Sequence, residues 1–369
     1  MPGNEAEHGT TAAPDNTTLG AEVSSVVPDS SNTASKSSEK QESTPAATGL
    51  SQSGDAAAIS ASNAVAAAPG PAVVGEQTPP AEATKTGAKD EATEDKKEAD
   101  SPIQALWAYA QGHDHKEIWG VNLADPATHV PSQIILQKYL NANDQDLARA
   151  KEQLKNTLDW RATNKPSELT KKTYASDKFA GLGYITSYPA EGASPDNKAV
   201  FTWNIYGGVK DIQKSFGDLD AFINWRVALM EVAMIELDLS SATKPITADD
   251  DPYKIYQVHD YKRISFLRSP PAVRSAAKKT VEVLAMAYPE TLREKFFVNV
   301  PAIMGFMYGV MKLFVAPKTI KKFHPMSNGS LLVHEFGDSK VTGLGEKLPK
   351  EYGGKGDELC TVGKQLSLE

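Results

Sequence analysis

The sequence predicts an α/β fold for the part of the chain after about residue 100, and three observations predict it. β-rich runs alternate there with segments of helical periodicity, the order that builds a sheet with crossover helices. One helical segment, Asp218 to Leu239, is apolar on nearly all sides (Phe222, Ile223, Trp225, Val227, Leu229, Met230, Val232, Met234, Ile235, Leu237), which suits a helix buried on several sides. The first hundred residues contain no Phe, Trp or Tyr, so the core has to be built from the residues beyond them.

Residues 1–100 are rich in Ala, Ser, Thr, Pro, Gly, Glu and Asp. Such a segment buries too little apolar surface to offset the entropy of ordering its backbone, and it reads as a disordered tail. It carries 6 Lys against 16 Asp plus Glu, while the rest carries 33 Lys plus Arg against 31 Asp plus Glu. The net charge of -8 therefore belongs to the tail. The near-neutral remainder does not suggest non-specific nucleic-acid binding. No basic n-region or apolar h-region opens the sequence, so no secretory signal is read. The lone Cys360 permits no disulfide within the chain and fits a reducing compartment.

The globular part opens between Pro102 and Val130 with Trp107, Tyr109 and Trp119. Pro131 to Arg161 reads as two helices. Ile134, Ile135, Leu136, Tyr139 and Leu140 belong to the first; Leu147, Ala150, Leu154 and Leu158 belong to the second, which ends in Trp160-Arg161. Between them Asn143 or Asp144 is the expected N-cap. Gly183 to Tyr188 and Val200 to Tyr206 are strand candidates joined by a polar loop, as in a hairpin. After the long helix come a polar loop from Ala242 to Asp251, a third strand candidate from Tyr253 to Phe266, and a helix from Ala272 to Ala287 opened by Pro270-Pro271. Phe296 to Val300 is a fourth strand. It leads into an amphipathic helix from Pro301 to Pro317, and Leu331 to His334 is a last short strand. The apolar stretch from Phe296 to Pro317 is interrupted by Pro301 and carries Lys312, so it is not read as a membrane span. The folded part has no Gly-rich phosphate loop, zinc-ligand spacing or Gly-x-Ser-x-Gly motif, which argues against nucleotide-dependent and hydrolytic chemistry.

Three blocks carry a resemblance. Ile134 to Arg161 is similar to the helical N-lobe that precedes CRAL-TRIO domains. Ala287-Tyr288-Pro289-Glu290-Thr291 with Lys295 to Pro301 resembles that family's Tyr-Pro-Glu, strand, Asn-x-Pro core. Leu348-Pro349-Lys350-Glu351-Tyr352-Gly353-Gly354 resembles its C-terminal signature. The blocks span about residues 103–357 in the right order. Gln257-Val258-His259-Asp260-Tyr261-Lys262 is similar to the fungal branch called Sec-fourteen homologue five. The resemblance implies a CRAL-TRIO fold: a helical N-lobe (101–175), then a mixed, mostly parallel sheet flanked by helices around a hydrophobic cavity with a gating helix (176–358), and a C-terminal tail (359–369). For the branch it implies non-classical phosphatidylinositol transfer together with binding of haem b.

In a strand, residues i and i+2 share a face, so His259 and Tyr261 project together and Asp260 points away. A phenolate can ligate ferric haem. By the resemblance, Tyr261 is the iron ligand, His259 assists it, and Tyr206, Arg226 and Lys295 are pocket residues, the two cations suited to propionates or to the phenolate. Read from the residues alone, His259 and Tyr261 fit ordinary packing as well, Arg226 could pair with Glu231 or Asp220, and Lys295 could be solvated. There is no Cys-x-x-Cys-His motif, so any haem is non-covalent. The resemblance likewise implies Glu290, Thr319 and Lys322 for the inositol phosphate headgroup, against the plainer reading of a helix cap and an exposed basic face. The helix from Pro301 to Pro317 is read as a mobile lid that meets membranes, or as an ordinary core helix. The expected function is lipid transfer without catalysis, in the cytoplasm and peripherally on endoplasmic reticulum membranes. A haem-dependent, peroxidase-like enzyme and a ligand-free interaction module are the alternatives.

Overall fold

The computed structural model describes residues 101–191, 198–264, 270–301 and 320–369. The tail over 1–100, the helix expected after Pro301 and Thr319 lie outside them. A first helix, Pro102–Gln111, begins where the Ser101 hydroxyl accepts from the Gln104 amide at 3.3 Å and a proline fills the first turn. A short ribbon of β1 (Glu117–Ile118) and β2 (Val121–Asn122) turns through Trp119 and Gly120, both at positive φ.

Two helices come next, Val130–Ala142 and Leu147–Asn164. The cap of the second differs from expectation. Asp146, not Asn143 or Asp144, accepts from the amides of Ala148 and Arg149 at 3.0 and 3.1 Å. Asp144 and Gln145 stand at φ 53° and 65°, so the chain makes a left-handed turn through them and regains helical geometry later. Asn143 instead closes the first helix. Arg161, from the Trp-Arg pair, enters the core. It donates to Glu231 at 2.7 and 3.0 Å and to the Glu117 carboxylate at 2.8 and 2.9 Å, and the Tyr288 hydroxyl donates to Glu231 at 2.5 Å. The helical N-terminal part is thereby tied to the long Leu219–Glu236 helix and to the Pro271–Ala287 helix that Tyr288 ends.

Strands β3 (Gly183–Pro189), β4 (Lys198–Ile205), β5 (Ile255–Asp260), β6 (Leu292–Val298) and β7 (Phe323–Pro325) lie side by side in chain order. β3 and β4 are antiparallel, the hairpin expected, and the other pairs are parallel. Both faces are covered, which is why β5 is buried at every position. On one face Ile185, Val200 and Ile255 join a core with Trp225, Leu229 and Ala233 of the long helix. On the other, Phe201, Trp203, Tyr256 and Phe296 pack on Leu332, Phe336, Leu348 and Tyr352. Phe201 stacks on Tyr256 at 4.7 Å between centroids and meets Phe336 edge-on at 5.5 Å.

Leu331 to His334 is not a strand. Gly329–Phe336 is a 3-10 helix with Gly329, Leu332 and Phe336 buried, a spacing that a short apolar run does not distinguish from a strand. The last strand is β7 instead. The third strand candidate contracts to Ile255–Asp260 and leaves through a turn with Arg263 at φ 69°. Residues near the C-terminus run along the outer edge of β3: Lys364 and Ile185 exchange backbone hydrogen bonds at 2.9 Å. Among the described residues no helix is long and apolar enough to cross a membrane.

Candidate ligand-binding site

The register of the sheet builds two transverse rows. Asn204, His259 and Phe297 are partners across β4, β5 and β6, and Thr202, Gln257 and Lys295 are partners one step earlier. Alternation puts all six side chains on the same face. Tyr261 comes directly after β5, its amide donating to the Val298 carbonyl at 3.0 Å. Tyr206, just past β4, has its ring centroid 5.6 Å from that of His259 and 5.2 Å from that of Tyr261. Phe297 lies 5.8 and 6.4 Å from the same two rings. The predicted His259, Tyr261 and Tyr206 are therefore one cluster.

Its polar atoms are connected. The Tyr206 hydroxyl and His259 Nδ1 share a hydrogen bond at 3.1 Å. Arg226, from the long helix, donates to Asn204 Oδ1, and Asn204 Nδ2 donates to the Val258 carbonyl at 3.1 Å. Lys295 Nζ lies 5.7 and 6.0 Å from the rings of Phe297 and Phe323. His259, Lys295 and Arg226 are 2%, 3% and 6% exposed. Among the described residues no carboxylate stands within ion-pair distance of Arg226 or Lys295; of the two partners the sequence offered for Arg226, Glu231 is taken by Arg161 and Asp220 does not reach it. Solvation of Lys295 is thus replaced by burial.

Burial dominates the protonation states. It pushes the Lys295 ammonium well below its ordinary value, and Arg226 adds to the effect. Burial, then Lys295 and Arg226, push His259 well below the usual imidazole range, so it is neutral. Burial and Tyr206 push the Tyr261 phenol well above its ordinary value. Without a bound cation Tyr261 is a neutral phenol. The Arg226 guanidinium stays charged, and Lys295 holds its proton more readily beside an anion, so the pair favours an anionic occupant, because a buried charge without a counter-charge is costly.

Asp260 points to the other face, as the alternation requires. Its carboxylate accepts from Tyr352 Oη at 2.9 Å, from Asn299 Nδ2 at 2.8 Å and from the Lys262 amide at 2.8 Å. The conspicuous Asn-x-Pro and Tyr-Gly-Gly blocks thus fasten the end of β5 rather than face the cluster.

The headgroup residues converge separately. Glu290 stands at φ 53°, and Lys322 Nζ is 3.7 Å from its Oε2 while also donating to the Leu292 carbonyl at 3.1 Å. Glu290 caps no helix; it comes after the Pro271–Ala287 helix. Thr319 lies outside the described residues. Sequence reasoning missed Asn204, which orients Arg226, and Thr202, whose buried hydroxyl has no partner among the described residues. Strand alternation in Val200 to Tyr206 carried the signal for both. It also missed Lys138, Asp251 and Lys254 around Glu290. No group of three or more His, Cys, Asp or Glu among the described residues could hold a metal ion, so a metal in the cluster would have to be held otherwise.

The CRAL/TRIO domain family matches residues 205–354. A "Phosphatidylinositol transfer protein SFH5" of Chaetomium globosum is 66% identical over 270 residues, 73% of this chain and 62% of that protein. The SFH5 protein of Pyricularia oryzae is 58% identical over 290 residues, 76% and 71% of the two chains, and the sfh-5 protein of Neurospora crassa 56% over 268 residues, 72% and 74%. The matched part thus spans just under two thirds of the first relative and somewhat more of the other two. A solved structure, "Crystal structure of Sfh5", superposes with a TM-score of 0.57 at 23% identity, over 71% of this chain and 88% of the other, and shares the fold. With relatives this similar and the cluster lying on the matched strands, the chain belongs to the CRAL/TRIO family, in its SFH5 branch.

Proposed function

We propose that this protein is a phosphatidylinositol carrier, which takes the lipid into an internal site and exchanges it between membranes without altering it. The relatives are named for that activity. Within the chain, the convergence of Glu290 and Lys322 supports it: a carboxylate accepts from inositol hydroxyls and an ammonium holds a phosphate. Thr319 completes the set by resemblance. The carrier works from the cytoplasm, peripherally on endoplasmic reticulum membranes, in phosphoinositide homeostasis. In transfer of labelled phosphatidylinositol between vesicles, Glu290→Ala or Lys322→Ala should slow exchange by roughly tenfold, the loss of one charge-assisted contact. Unchanged rates in both would remove the headgroup assignment.

The same protein binds haem b non-covalently in this reading, with Tyr261 as the iron ligand and a part in oxidant stress. The supporting observation is a phenol and a neutral imidazole beside a buried arginine and a buried lysine that meet no carboxylate among the described residues. That donor set fits the group: Arg226 and Lys295 suit its carboxylates, and Tyr261 its metal. Bound haem would supply a ferric centre. Tyr261 must lose its phenolic proton to serve as ligand, so hemin affinity should rise with pH, by up to about tenfold per unit. His259, beside it and neutral, can accept a hydrogen bond from Tyr206 without adding a third positive charge.

An absorption spectrum after incubation with hemin tests this reading. A Soret band that shifts or vanishes in Tyr261→Phe is expected. A parent that stays colourless would reject haem binding and leave the lipid carrier.

A further inference from the structure

Asn328 and Gly329 form the one Asn-Gly pair in the sequence. Such a pair is chemically labile, because no side chain on the glycine hinders the attack of its nitrogen on the asparagine side-chain carbon. The fold requires both residues. Asn328 is exposed and caps the Gly329–Phe336 helix, its Oδ1 accepting from the Ser330 amide at 3.0 Å and from the Ser330 hydroxyl at 2.9 Å. Gly329 is buried, and a Cβ there would lie 2.8 Å from Asn299 Nδ2 and 3.0 Å from Asn299 Oδ1.

The reacting groups are held apart. The Gly329 amide donates to Asn299 Oδ1 at 2.8 Å, while Asn299 Nδ2 donates to Asp260 Oδ1 at 2.8 Å. Asn328 stands at ψ 114°, which turns the Gly329 nitrogen away from the side-chain carbon it has to join. The two Ser330 donors already sit on the oxygen that takes up negative charge when a nucleophile adds to that carbon, at distances suited to an oxyanion. The electrophile is prepared and the nucleophile is restrained.

We propose that Asn328 is a modification site gated by Asn299, losing its side-chain amide when Gly329 leaves Asn299 and keeping it while that contact stands. Once the contact opens, the Gly329 nitrogen gives up its proton and bonds to Asn328 Cγ; the bond to Nδ2 breaks, and ammonia leaves with that proton. Water then opens the five-membered imide at one carbonyl or the other, to aspartate or to isoaspartate. Nothing is oxidised or reduced. Aspartate keeps the cap. Isoaspartate adds a methylene to the main chain, so Gly329 no longer reaches Asn299 with Leu332 and Phe336 still packed against the sheet. Asn299 then loses one side of its bridge to Asp260, and the change reaches the end of β5. The inference is independent of the carrier and haem readings.

The test is incubation of the full chain at mildly alkaline pH, below its unfolding temperature, followed by peptide-mapping mass spectrometry. A synthetic peptide of residues 324–333 serves as the unrestrained reference. The folded chain should lose the Asn328 amide roughly tenfold more slowly than the peptide, about the factor that one buried hydrogen bond carries. Asn299→Ala should bring the rate close to that of the peptide. Tyr352→Phe, which removes another donor to Asp260 without touching Gly329, should leave the rate near that of the wild type. A wild type as fast as the peptide, or an Asn299→Ala variant as slow as the wild type, overturns the gate. Equal acceleration in Asn299→Ala and Tyr352→Phe traces the rate to general unfolding and overturns it as well.

Discussion

Arg161 and Arg226 are both interior residues held in opposite ways. Arg161, at 0% exposure, gives its guanidinium to Glu231 and Glu117, and Tyr288 completes the arrangement from a third element. Arg226 donates to the neutral amide of Asn204 and lies 5.8 Å from the Trp225 ring centre. Burial holds the Arg226 guanidinium below its ordinary value. One charge is compensated within the fold and serves the fold. The other, with Lys295 on a neighbouring strand of the sheet, meets no carboxylate among the described residues.

The sharpest way to break that contrast is a pair of substitutions read by urea denaturation. Glu231→Gln strands Arg161 beside a single remaining carboxylate and should cost about 3–5 kcal/mol, as breaking a buried ion pair does. Arg226→Met removes an uncompensated charge and should leave the ligand-free protein as stable, or more stable by about 1–4 kcal/mol. Equal losses in both would erase the distinction. Asp260 sharpens it with an intermediate case, a buried carboxylate satisfied by hydrogen bonds from Tyr352, Asn299 and a backbone amide. Tyr352→Phe takes away one donor and should destabilise by about 1–3 kcal/mol. The smallest effect is on pH. His259 is held neutral, its folded value lying below the ordinary one, so below about pH 6.5 the unfolded chain binds more protons. Stability should then fall with acidification, by up to about 1.4 kcal/mol per pH unit. In His259→Asn that part of the slope should disappear; an unchanged slope would remove His259 as its source.

Legibility in the sequence tracks the range of each signal. The His259/Tyr261 pairing rests on a spacing of two residues, the β3–β4 hairpin on one short connection, and the Leu219–Glu236 helix on a long apolar run; each was readable. The capping error at Asp146 arose because two left-handed residues intervene, and no composition marks where such a turn ends. The Gly329–Phe336 segment was misread because its burial spacing emerges only over eight residues. Lys138 meets Asp251 across more than a hundred residues of chain, and no local pattern connects them. Asn204 was recoverable, since alternation with Thr202 puts it on the His259 face once the strand is accepted.

The alternation along β5 also sets how this stretch of gene can change. Ile255, Gln257 and His259 serve one face while Tyr256, Val258 and Asp260 serve the other. Inserting or deleting one codon here would exchange the faces, sending the Asp260 carboxylate toward Arg226 and the His259 imidazole toward Tyr352. The lesion would be double, a lost anchor and a neutralised pair of cations. Residues 243–250 just upstream are exposed at all but Ile246, and loops of that kind absorb length changes readily. Homologous genes should therefore vary in length up to Asp251 and hold a fixed reading from Ile255 to Tyr261.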